Sequence, residues 1–122
     1  MAAKTLLLIA TVAAWSSAPA LAVQFSQTND PAPGYSSLLK SDYSNAEREL
    51  RSANVSAYDP ARSINLGIVL AKQGDRAGAA KQFNQVLFEE DVEMVVADGQ
   101  TAMSHEVARR ALSALQNGVL SR

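Results

Sequence analysis

The 122-residue chain contains no cysteine, so no disulfide staples its fold and thiolate chemistry is excluded. It has a single histidine, His105, and no second ligand stands at i+3 or i+4, where Ala108 and Arg109 sit. Its neighbour Glu106 diverges from it by about 100° on a helix, so the pair does not converge on a metal or an acid–base centre. No excess of positive charge is present either: 11 basic residues stand against 12 acidic ones. A phosphate-binding surface needs a basic surplus, so nucleic acid is excluded as a partner. The six glycines form no phosphate-cradling loop, and no serine lies in a Gly-x-Ser-x-Gly turn. Long apolar runs are missing too, the stretch from Thr5 to Trp15 being about eleven residues against the roughly 20 of a spanning helix.

What is present begins with a leader. Met1-Ala-Ala-Lys4 is short and basic, Thr5 to Trp15 is apolar, and Ala20-Leu21-Ala22 supplies a small-x-small cleavage pattern. Residues 1–22 read as a signal peptide cleaved after Ala22, which leaves about 100 residues, one small domain, in the periplasm or outside the cell. Losing Lys4 moves the formal charge from −1 to −2, and no stable membrane insertion is expected after cleavage.

Residues 23–34 carry two prolines, a glycine and several short polar side chains, and read as a flexible N-terminal arm. A short helical turn is expected over 35–40, then a helix with Tyr43, Ala46, Leu50 and Ala53 on one face. Asn54 to Pro60 is a linker in which Asp59 caps the next helix and Pro60 occupies its first turn, so that helix runs from Pro60 to Lys72. Gly67 inside it costs roughly 1 kcal/mol relative to Ala, a cost that makes sense where a neighbouring helix comes close. The segment 92–103 reads as a hairpin around a two-residue Asp98-Gly99 turn. Ser104 then caps a final helix over 104–117, with Val107, Ala108, Ala111, Leu112 and Leu115 on its apolar face.

The strongest pattern lies between these parts, from Leu66 to Leu87. Leu66, Gly67 and Leu70 share one face, Gly74-Asp75 breaks the chain, and Ala79, Phe83, Val86 and Leu87 form a second face at i, i+4, i+7 and i+8. Leu66, Gly67, Leu70, Gly74, Ala79 and Phe83 resemble the tetratricopeptide repeat, and Val86 replaces that pattern's last small residue. Aligning Asp42-Tyr43 with Asp75-Arg76 places Ala46 over Ala79 and Leu50 over Phe83, an offset of 33 residues against the family's roughly 34. The resemblance implies a mainly α fold: one full helix–turn–helix unit and one truncated unit over 35–122, with the hairpin and last helix acting as a cap. The order of parts is similar to that of small exported tetratricopeptide-containing proteins of Gram-negative bacteria. Such repeats bind proteins or build assemblies and carry no catalytic machinery, so a protein or peptide partner is implied and catalysis, cofactors and metals are not. By the family's spacing Asn65, Ile68 and Lys72 would look into the binding groove, although the lysines and arginine of a carboxylate clamp are missing from the matching positions.

Two further groups of charge remain. Glu89-Glu90-Asp91 and Glu93 form an acidic run that lacks the alternating ligands and turn glycine of a calcium loop. Arg109-Arg110 and Arg122 make a modest basic patch, read as a solvated helix face. The expectation is therefore a non-catalytic interaction module, an adaptor or assembly factor of the bacterial envelope. Self-association as a structural protein is its alternative, and a small-ligand carrier would need a pocket of converging polar groups.

Overall fold

Asp42, Asp59 and Asp75 each precede a helix and each caps it, in the computed structural model that describes residues 20–25 and 31–120. Their carboxylates accept the backbone N–H of the residue three positions on, from Asn45 at 3.3 Å, Arg62 at 2.9 Å and Gly78 at 2.8 Å. These bonds satisfy donors that a helix start would otherwise leave open. The chain order is β1 (Val23–Phe25), α1 (Tyr35–Leu39), α2 (Tyr43–Ser52), α3 (Pro60–Lys72), α4 (Arg76–Phe88), β2 (Glu93–Val96), β3 (Thr101–Met103) and α5 (Ser104–Gln116). The protein is mainly helical, with one small antiparallel sheet.

Helix α3 is the centre. Its residues 63–71 are all buried, because α2, α4, α5, α1 and β1 pack around it. A helix apolar on most sides, from Ile64 through Ala71, needs such an enclosure. Gly67 sets its distance from α4: a Cβ at that position would lie 2.4 Å from Cε1 of the fully buried Phe83. The cost of a mid-helix glycine is thus offset by a close approach that no other residue allows.

The same arrangement occurs 33 residues earlier. A Cβ on Gly34 would lie 2.7 Å from Cγ of the fully buried Leu50, and Gly34 and Leu50 stand opposite Gly67 and Phe83 in that offset. The turns between the paired helices share hydrogen bonds at corresponding positions. Asp42 N donates to Ser37 O at 2.9 Å, as Asp75 N does to Leu70 O at 2.8 Å; Ser41 N donates to Leu38 O at 3.0 Å, as Gly74 N does to Ala71 O at 3.1 Å. Ser41 is, among the described residues, the non-glycine residue with positive φ, 56°, and it occupies the place of Gly74 at 91°. A seryl residue there carries a steric cost of roughly 1 kcal/mol that glycine avoids. The first helix α1 is short, since Pro31 and Pro33 precede it and its N-cap Gly34 is already left-handed.

The sheet has the order β1–β2–β3, with Val23 opposite Val96, Phe25 opposite Val95, and Glu93, Met94 and Val95 opposite Met103, Ala102 and Thr101. Val23, Met94 and Val96 turn into the core. Three expectations change here. Part of the arm expected over 23–34 is a paired strand: Val23–Phe25 lies between β2 and the segment that includes Pro31 and Ala32, with Ala32 N donating to Gln24 O at 3.0 Å, while residues 26–30 lie outside the described set. The hairpin has a three-residue loop, Ala97–Gly99, in place of a two-residue turn. Gly99 alone takes positive φ, Gly99 N donates to Val96 O at 2.8 Å, and Asp98 Oδ1 accepts from Gln100 N at 2.9 Å. A type I turn followed by a left-handed glycine gives this geometry and lets Asp98 keep negative φ. Ser104, finally, is the first residue of α5 and not its cap.

The close approach at Gly67 leads to a prediction. Gly67→Ala adds helix propensity worth about 1 kcal/mol, yet the clash with Phe83 outweighs it and the substitution destabilises the protein by about 1–3 kcal/mol in urea unfolding. Combining it with Phe83→Leu is expected to cost less than the sum of the two single changes.

Candidate functional site

Asn65 faces the N-terminal strand and is fully buried. A buried carboxamide needs partners for both of its ends. Its Oδ1 accepts the N–H of Val23 at 2.7 Å, and its Nδ2 donates to the carbonyls of Val23 and Pro33, each at 3.0 Å. One side chain therefore pairs with an extended residue as a neighbouring strand would, and ties in the chain that leads to α1. Every group it holds is main-chain, so the seat recognises an extended backbone with no dependence on side-chain identity. Of the other positions expected in a groove, Ile68 is fully buried in the core and Lys72 is half-buried at the last turn of α3. Asn65 and Ile68 are covered by the protein itself.

A second polar constellation joins the start of α5 to the end of α4. Asp91 Oδ1 accepts the N–H of His105 at 2.8 Å and the hydroxyl of Ser104 at 3.2 Å. Ser104 Oγ in turn accepts from Val92 N at 2.9 Å, and Ser104 N donates to Val92 O at 2.7 Å. Asp91 is thus the cap of α5, delivered from the loop before β2. Its charge lies at the helix N-terminus, where the dipole favours it, and no longer opposes the C-terminus of α4. The His105 ring donates from Nε2 to Glu89 O at 2.7 Å and places Nδ1 3.9 Å from Asp91 Oδ2. Ser, His and Asp meet here, but the imidazole is bonded to a backbone carbonyl and the seryl hydroxyl to a cap, which is an architecture for closing a helix start rather than for activating a nucleophile. Among the described residues, no group of three or more His, Asp or Glu side chains is placed to hold a metal ion, and no helix is long and apolar enough to cross a membrane.

The large apolar side chains left in solvent are the remaining surface feature. Phe88 is 87 % exposed and Tyr58 61 %. Gln85 Nε2 donates to Ala57 O at 2.9 Å, so the loop that carries Tyr58 lies along the last turns of α4, which carry Phe88. Sequence reasoning passed over both residues. Phe88 follows Leu87 at the end of α4, beyond the apolar face of Ala79, Phe83, Val86 and Leu87.

Compared with known proteins, the chain matches no family model, no curated protein and no solved structure.

Both polar clusters can be tested by substitution. Asn65→Ala leaves Val23 N–H and two carbonyls without partners and is expected to destabilise the protein by about 3 kcal/mol, with hydrogen-exchange protection lost first at Val23. At Asp91 the backbone N–H of His105 holds the carboxyl below its ordinary value of 3.8, desolvation opposes this, and His105, Ser104 and Arg109 add to the lowering. The folded state thus binds this proton less readily than the unfolded chain. The resulting stability is present above pH 3.8 and is lost as the pH falls through the lower folded-state value. Asp91→Asn is expected to be less stable than the parent at neutral pH and to show a shallower loss of stability in acid, measured by urea unfolding across pH 2.5 to 7.

Proposed function

We propose that this protein is a non-catalytic protein-interaction module of tetratricopeptide-repeat type, exported by its N-terminal leader to the periplasm or cell envelope, where it serves as an adaptor or assembly factor. The observation that carries this reading is the recurrence of one helix–turn–helix unit at an offset of 33 residues, with Gly34 under Leu50 and Gly67 under Phe83 and corresponding turn hydrogen bonds. Helix pairs built this way present rigid, side-chain-diverse surfaces, and their usual work is to hold other polypeptides. Partner recognition would then depend on exposed side chains of the repeat frame. Asn65 and Ile68 are committed to the protein's own N-terminal strand and core, so we place the contact at the end of the α3–α4 pair, around Tyr58 and Phe88. Exposed aromatics serve an interface better than a solvated surface, because a large ring buries much area at little entropic cost.

The test is site-specific photocrosslinking in a Gram-negative envelope. A crosslinking residue in place of Tyr58 or Phe88 is expected to capture a partner polypeptide, while the same residue in place of the exposed Gln116 is not. Adducts only between copies of the chain would instead support the self-associating structural reading, and equal labelling from all three positions would count against any defined contact surface.

A further inference from the structure

Two small-x-small patterns overlap at the end of the leader, Ala18-Pro19-Ala20 and Ala20-Leu21-Ala22, and both satisfy the requirement of a leader peptidase. Burial separates them. Ala20 is exposed, Leu21 packs against the core, and Ala22 and Val23 are completely buried. We propose that the leader is removed after Ala20, so that the processed protein begins at Leu21 and not at Val23. This rests on the export reading above.

Charge and packing separate the two products. Cleavage after Ala22 would turn the neutral amide of Val23 into an ammonium group at a fully buried position. Its acceptor there is the neutral Asn65 Oδ1, 2.7 Å away, whose carboxamide also holds the Val23 and Pro33 carbonyls and has no negative charge to offer. An ammonium without a counter-charge is poorly tolerated in such a place. The same cut would strip Leu21 and Ala22 from the core that covers α3. Cleavage after Ala20 avoids both penalties: the new amine falls on Leu21, beside a position already in solvent, and the Asn65 seat keeps an ordinary peptide N–H. Leader peptidases act on unfolded chains, so packing does not steer the enzyme; it decides which product completes the fold, and a sequence offering both sites is selected for that product.

Intact-mass measurement of the exported protein, expressed with its own leader, reads the answer directly. A chain of residues 21–122 is expected, a chain of residues 23–122 overturns the proposal, and an unprocessed chain retained in the cytoplasm overturns the export reading itself. Ala18→Gln removes the small residue needed by the first site and leaves Ala20 and Ala22 in place; loss of the 21–122 product is expected, and its undiminished formation would contradict the assignment. The physical cause is checked separately on purified chains. Residues 23–122 are expected to melt lower than residues 21–122 by roughly 5 °C or more, and equal melting temperatures would remove the basis of the proposal.

Discussion

The close approach of α4 to α3 at Gly67 is the constraint on which the rest of this protein depends. A side chain there would overlap the Phe83 ring, and without that proximity Phe83 would have no enclosed site. Once the two helices are fixed, α3 has one flank left for α2 and another for α5, and its remaining side receives β1. The earlier unit repeats the device in smaller form, with Leu50 over Gly34. A short chain without disulfides has few ways to hold five helices in register, and shape complementarity at two glycines is the one used here.

The second level of organisation closes the ends of the frame. Asn65 extends from the central helix to fix an N-terminal strand by its backbone, and that strand completes the sheet begun by the hairpin. At the opposite side of the hairpin, Asp91, Ser104 and His105 fasten the beginning of α5 to the end of α4. Strand, hairpin and last helix thus cover flanks of the helix pair, with polar bonds at their margins. The polar residues that catalytic reasoning would single out, His105 and Asp91 with Ser104, are spent on this closure.

Much of this was legible in the sequence, for local reasons. Helix α3 runs from Pro60 to Lys72 as expected, because Asp59-Pro60 is an unambiguous start and Gly74-Asp75 an unambiguous stop. The offset that aligns Ala46 with Ala79 and Leu50 with Phe83 was visible for the same reason. What escaped depends on distant partners. Val23-Gln-Phe25 is too short and too close to Pro31 and Pro33 to look like a strand until Val95 and Val96 pair with it. The family's spacing turns Asn65 toward a peptide groove; it binds extended backbone, but that of its own chain. The place of Gly34 beneath Leu50 follows from extending the 33-residue offset into the proline-rich segment. Asp91 as the cap of α5 acts across 14 residues and leaves no local pattern at all.

The helix packing rests on the paired glycine contacts, and nuclear magnetic resonance of the folded protein reads them without altering a residue. The Gly67 Hα resonance is predicted to be shifted strongly upfield by the Phe83 ring and to show Overhauser contacts to it, and Gly34 Hα to show the equivalent contacts to the Leu50 methyl groups. A Gly67 Hα at an ordinary helical shift, with no contact to Phe83, would contradict the helix packing from which every other element takes its position.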